Sequence, residues 1–360
     1  MAAAALAPVV ARADTGIPAL KDVYRNTFRI GMAVDPWVAV APPARDILIK
    51  HASSITACEV MKPDPIGVAA DIYSFGDADA LVDFAQGNGI AVRGHTLCWH
   101  KRELDWFFNG DPSAPGYKAK VRARLETYIV NVVSHFRGKV YAWDVVNEPA
   151  ADDGADAYRG SRWRQVLGPD YIDIAFHAAR SADPHVQLFL NDYGLEKPDK
   201  RARFLTILDE KLRRGVPIDG VGHQLHLNIG STTPAQVEPA LAAMEARGLI
   251  NHITELDISV YGDPAGCWDT PPSGCQPEMQ PDTETCRAAL KAQAEMYGAF
   301  FDLFAAHESV TSVTTWGVAD DQTWLDVYPI QRKNYPLLFD ALGKPKPAFW
   351  AVADRTHRPE

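Results

Sequence analysis

Residues 117–148 read Tyr117-KAKVRARLETYIVNVVSHFR and then, after Gly138-Lys139, Val140-YAWDVVNE. The first half has the spacing of an amphipathic helix, and the second is a short apolar, β-branched run of strand type. Gly138 punctuates the join, because glycine closes a helix in the left-handed region without steric cost. The same alternation extends in both directions from residue 28 to the end. Strand-type runs occur at Phe28-RIGMAV, Ser53-SITA, Ile90-AVRGHTL, Val140-YAWDVVNE, Val186-QLFLND, Ile218-DGVGHQLHL, His252-ITELDIS and Val310-TSVTTWGV. Helical patterns lie between them, among them Asp79-ALVDFAQGN, Tyr171-IDIAFHAARSA, Asp199-KRARFLTILDEKLRRG and Cys286-RAALKAQAEMYGAFFDLFAAH. Strict alternation implies parallel strands with crossover helices. Eight runs predict a closed barrel, so the expected fold is α/β, a single (β/α)8 TIM barrel over residues 15–360. An open doubly wound sheet is the runner-up, but it would want a Gly-rich phosphate turn after an early strand. No such pattern occurs.

The chain has 360 residues, 47% hydrophobic and 23% charged, ordinary globular values that one α/β barrel absorbs. Its formal charge of −10 disfavours nucleic acid and anionic membrane as partners. No uninterrupted apolar stretch reaches the length of a membrane-spanning helix. Residues 1–14 are small and apolar and contain Ala11-Arg12-Ala13, the shape of a signal-peptidase site, although no basic segment precedes it. They are read as a signal-peptide remnant or a disordered lead, and a secreted or periplasmic location is expected. Of the five cysteines, Cys267, Cys275 and Cys286 share one Pro/Gly-rich stretch. A local staple such as Cys267–Cys275 agrees with export, against three unpaired thiols as the alternative. Cys58 and Cys98 read as small buried residues. A monomer is expected.

Chemistry in such a barrel sits at the C-terminal ends of the strands. Glu148 ends the fourth run and Glu255 lies in the seventh, in Ile253-Thr-Glu255-Leu-Asp257. Two carboxyls across a cleft are the minimum equipment for glycoside hydrolysis, one protonated and one ionised. Either alone could simply pair with a barrel arginine. Residues two apart on a strand share a face, which groups Glu255 with Asp257, Gln224 with His226, and His95 with Leu97 and Trp99. These positions are polar or aromatic where a pure core would carry Val, Ile and Leu. His223 and His226 face opposite ways, and so do His95 and His100, which makes joint chelation improbable by geometry; no metal and no cofactor is expected. Trp99, Trp106, Trp316 and Trp324 stand near run ends, where their faces suit pyranose rings, although any one could be core.

At this point the chain resembles glycoside hydrolase family 10, the endo-β-1,4-xylanases. The resemblance rests on Gly94-His-Thr-Leu-Cys-Trp-His100, Trp143-DVVNE, Asn191-Asp-Tyr, Gln224-Leu-His226, Ile253-TELD, Trp316-Gly-Val and Pro336-LLFD, in that order. It implies a retaining endo-β-1,4-xylanase acting on xylan or xylo-oligosaccharides by double displacement. Glu148 would be the acid/base and Glu255 the nucleophile. Asn147 would bind the sugar 2-hydroxyl, and His226 and Asp257 would tune Glu255. Lys62, His95, Trp99, Gln224, Trp316 and Trp324 would line the glycone subsites, and Tyr193 would lie toward the aglycone. Where the family reads Glu-Asn-x-Met-Lys, this chain has Cys58-Glu59-Val60-Met61-Lys62; where it reads Ser-Gln-Leu-Pro-x-Trp, Lys101-Arg102-Glu103-Leu104-Asp105-Trp106 stands. A neutral sugar-binding pair has thus become Glu59 and Arg102. Either a salt bridge replaces the pair, or the subsite is reshaped for a decorated xylan or another β-glycoside, with Arg102 open to a uronate. A non-catalytic carbohydrate-binding barrel would be expected to lack one carboxylate or its partners. The long loop after Glu255, Tyr261-GDPAGCWDTPPSGCQPEMQPD, reads either as a wall of the aglycone side or as a rigid surface excursion.

Overall fold

The computed structural model describes residues 16–354. The lead 1–14, read as a signal remnant, lies outside them. The strands are β1 (Arg29–Val34), β2 (Ser54–Ala57), β3 (Ala91–Trp99), β4 (Val140–Asn147), β5 (Gln187–Asp192), β6 (Gly220–His223, resuming at His226–Asn228), β7 (Ile250–Ser259) and β8 (Val310–Thr315). Each pairs in parallel with its sequence neighbour, and β8 returns to β1 as well as to β7, so the sheet closes on itself. Each expected run is a strand of this barrel. After the strands come helices α1 (Ala44–His51), α2 (Gly76–Gly87), α3 (Tyr117–His135), α4 (Asp170–Ala182), α5 (Pro198–Arg213), α6 (Pro234–Glu245), α7 (Glu284–Ala306) and α8 (Pro347–Ala353).

Strands covered by helices outside and packed side chains inside read as continuous apolar runs, and β2 is buried along its whole length. Helix α3 buries Val121, Leu125, Ile129 and Val132 on one stripe, each contributing up to about 1.5–3 kcal/mol. It ends shortly before Gly138, which has φ +73°. Gly94 on β3 is required by its neighbour, since a Cβ there would overlap the fully buried indole of Trp143 on β4.

The barrel interior holds a buried ion pair. Arg93 on β3 donates through both terminal nitrogens to Asp144 on β4, and its Nε lies 3.4 Å from His252 Nδ1. Strand β6 departs from the expected continuous run. Leu225 adopts φ +54°, which interrupts the ladder between His223 and His226, so parity cannot be carried across it. His223 turns to Asn251, 2.7 Å away, while Gln224 and His226 both reach the cleft. Trp106 does not join the other strand-end tryptophans in the cleft. Its ring stacks on Phe107 at 4.1 Å and its Nε1 donates to the Gly67 carbonyl at 3.0 Å, which makes it part of the packing beneath a small hairpin.

Candidate active site

The C-terminal ends of the strands converge on Glu148 and Glu255, both buried. Glu148 follows β4 directly and takes a left-handed backbone, φ +56°, at a cost of about 1–2 kcal/mol for a residue with a Cβ. The surroundings hold it there. Its N–H donates to the Asn191 carbonyl at 2.7 Å, and the Glu148 carbonyl accepts from Arg159 Nε at 3.0 Å.

An amide bridge joins the two acids. Asn191 Nδ2, at the end of β5, donates to Glu255 Oε1 and to Asn147 Oδ1, each at 2.8 Å. Thr254 Oγ1 donates to Asn191 Oδ1 at 2.7 Å, which fixes which way the amide faces. Gly222 makes the room, because a Cβ there would strike that same oxygen. Gln224 Nε2 donates to Glu148 Oε1 at 3.2 Å and to Asn147 Oδ1 at 3.3 Å. The chain Glu148–Gln224–Asn147–Asn191–Glu255 therefore links the two acids through Asn147, whose Nδ2 also lies 3.4 Å from Glu148 Oε1.

Their electrostatics differ. His226 Nδ1 lies 3.0 Å from Asp257 Oδ2 and its Nε2 3.1 Å from Glu255 Oε2. Burial would lower the imidazole pKa, but the charge of Asp257 and the hydrogen bonds to both carboxylates raise it to about 10. His226 is thus an imidazolium at neutral pH, donating from both nitrogens. Burial likewise opposes ionisation of Glu255, yet the His226 hydrogen bond and the charges of His95 and His226 hold it below its ordinary range. Beside Glu148 stands His100, its Nδ1 3.8 Å from Oε2, and burial aided by Arg159 and Lys101 lowers its pKa to about 3. A neutral ring therefore faces the acid/base candidate.

The walls carry the remaining residues singled out in the sequence. His95 Nδ1 donates to Asp144 Oδ2 at 2.9 Å, and its ring meets Trp316 edge-on at 5.3 Å. Lys62 Nζ lies 5.3 Å over Trp99. Trp324 Nε1 donates to Asp257 Oδ2 at 2.8 Å. Glu59 accepts from Lys62 Nζ at 2.5 Å and from Arg102 Nη2 at 2.6 Å, while Arg102 Nη1 donates to Asp64 at 2.7 Å. On the other flank Tyr193 donates to Asp152 at 2.7 Å and accepts from Arg159 at 2.7 Å, and Lys200 sits 4.1 Å over its ring. Cys267 and Cys275 form a disulfide; Cys58, Cys98 and Cys286 are free.

Sequence reasoning gave no role to Asn191, Asp144, His100, Arg159 or Asp192. Polar residues ending the apolar run Val186-QLFLND were a usable signal for Asn191 and Asp192. Asp192 accepts the Ala150 and Tyr193 N–H groups, and burial pushes its pKa up to about 7 against the opposing Lys200.

Paired buried carboxyls at strand ends, one held ionised and both tied to an amide cluster, are the working parts of a glycoside-cleaving barrel. The chain belongs to glycosyl hydrolase family 10, whose model matches residues 19–355. It is 38% identical over 342 residues to an endo-1,4-beta-xylanase of Geobacillus stearothermophilus, covering 94% of this chain and 99% of that one. It is also 38% identical over 365 residues to endo-1,4-beta-xylanase C of Paenibacillus barcinonensis, covering 96% of this chain but only 32% of that protein. Against Thermotoga neapolitana endo-1,4-beta-xylanase A the share is 31%, so the chain spans about a third of those longer relatives. Among solved structures, the xylanase XynB of Paenibacillus barcinonensis, complexed with a conduramine derivative, superposes with a TM-score of 0.87 at 35% identity, covering 95% of this chain and 100% of that one. A mutant structure in complex with xylotriose gives 0.85 at 37% identity, with 93% and 99% coverage.

Proposed function

We propose that the protein is a retaining endo-β-1,4-xylanase that hydrolyses internal xylosidic bonds of xylan and xylo-oligosaccharides. The observation that carries this reading is the amide bridge through Asn191 and Asn147, with His226 set between Glu255 and Asp257 on one end of it. In the first step Glu255 attacks the anomeric carbon while Glu148 gives its proton to the departing glycosidic oxygen. In the second, Glu148 takes a proton from water, whose oxygen displaces Glu255 and restores both groups. Asn147, held between the acids, is placed to hydrogen-bond the sugar 2-hydroxyl, a bond that strengthens as positive charge grows at the ring. Lys62, His95, Trp99, Gln224, Trp316 and Trp324 wall the glycone side in this reading, and Tyr193 the aglycone side.

Incubation with xylohexaose, arabinoxylan, glucuronoxylan and a β-glucan, beside a Glu255→Ala control, tests it. Rapid release of short xylo-oligosaccharides with the β-configuration first seen by proton NMR, lost in the control, is expected. Turnover of the β-glucan alone, or α-configured first products, would sink the reading.

The Glu59–Arg102 contact favours unbranched chains at the neighbouring subsite. Both terminal nitrogens of Arg102 already donate to carboxylates, and Glu59 and Asp64 beside it would repel a uronate. Export is part of the same proposal, supported by Ala11-Arg12-Ala13 and by a disulfide that suits an oxidising compartment.

A further inference from the structure

The long loop after β7 does not stand apart from the site. Its Cys267–Cys275 disulfide encloses Trp268 at the base of a turn, with the two Cα atoms 4.9 Å apart. The loop docks on the segment that follows β8. Arg332 pairs with Asp263 and donates to the Gln276 carbonyl, and its guanidinium lies 3.5 Å over the Tyr261 ring. Tyr261 donates to the Lys333 carbonyl at 2.7 Å, and the Met279 N–H donates back to Tyr261 at 2.9 Å. Two loops from adjacent strands are thereby locked together. The loop packs on Trp324, so it is joined to the wall of the cleft and is not a detached surface excursion.

The lock brings three aromatic rings together. Trp268 lies 6.0 Å from Trp324 and 5.7 Å from Tyr328, while Trp324 and Tyr328 stack at 5.6 Å with an 18° interplanar angle. Tyr328 is 45% exposed, and Val327 beside it 70%. Trp324 is anchored to the chemistry, since Asp257 accepts its indole N–H and also holds His226. The group is therefore continuous with the cleft at one end and open to solvent at the other. Rigid, half-covered aromatic faces of this kind lose little side-chain entropy on contact and match the C–H face of a pyranose.

We propose that Trp268 and Tyr328 form a stacking shelf that extends the cleft past Trp324 and engages a further pyranose ring of a chain substrate. This rests on the xylanase reading above and adds a place for one more sugar.

The test is steady-state kinetics of Trp268→Ala and Tyr328→Ala on an aryl β-xylobioside and on xylohexaose. The shelf predicts that the ratio of KM for xylohexaose to KM for the short substrate rises about three- to tenfold in each variant, the range of one aromatic contact. An unchanged ratio overturns the shelf, and so does an equal fall of kcat on both substrates, which would make the rings a mere support for Trp324. Far-ultraviolet circular dichroism reports folding. If Trp268→Ala is unfolded, Tyr328→Ala together with Trp268→Phe carries the comparison. Wild-type turnover of the aryl xylobioside reports separately on the xylanase reading; a wild type inert on both xylosides removes that reading and the shelf with it.

Discussion

Asn191 Nδ2 donates to Glu255 Oε1 at 2.8 Å, from a strand end separated from the acid by a sequence distance of 64 residues. The bond stabilises the ionised carboxylate and, through Asn147, fixes its place relative to Glu148. A hydrogen bond to a charged group contributes about 1.5–3 kcal/mol. Asn191→Ala should therefore lower kcat/KM by roughly ten- to a hundredfold and move the acidic limb of the pH profile upward. A profile that drops without moving would assign Asn191 a packing role only.

His226 gives a pH prediction with a definite sign. Its folded pKa of about 10 lies above an unfolded value of about 6.5, so its stabilisation is complete below pH ~6.5 and lost as pH rises through ~10. The stability gap between wild type and His226→Gln, measured by urea unfolding, should shrink steadily from pH 6 to pH 10. In activity the same variant removes the donor that holds Glu255 ionised, so the acidic limb of kcat/KM should rise in pH. A constant gap across that range would show that the ring is not charged.

The Arg93–Asp144 pair sits in the barrel interior with side chains at most 1% exposed. Removing one partner leaves a buried charge alone, which costs about 3–5 kcal/mol. Asp144→Ala should lose that much stability in chemical denaturation and also free the His95 ring that Asp144 holds. Arg93→Met with Asp144→Leu should recover much of the stability but not the His95 orientation. Equal losses in the single and double variants would contradict this.

Around Arg102 the expectation concerns branching. Asp64→Asn removes one of its two carboxylate partners and reduces the negative field beside it. The kcat/KM for glucuronoxylan should rise relative to that for unbranched xylan, while stability changes by less than about 1 kcal/mol, as befits a pair this exposed. An unaltered ratio would place Arg102 out of reach of substituents.

What the sequence determined by itself was the architecture and the candidate pair of carboxyls. Alternating strand and helix periodicities are local, so the eight runs from Phe28 to Val318 could be read in order and their closure inferred. Glu148 and Glu255 were legible as candidates because strand-end position brings such residues to one face of a barrel, and the family resemblance supplied their roles. The tertiary structure decided everything that depends on which strand stands beside which side chain. It split β6 at Leu225, turned Asn191 between two acids, buried Arg93 against Asp144, and removed Trp106 from the cleft. It also folded the stapled loop onto the segment after β8, where Trp268 meets Trp324. Periodicity says which way a residue faces, but its partner is set by crossovers and by the space a glycine such as Gly222 leaves open. Those are properties of packed neighbours far apart in the chain.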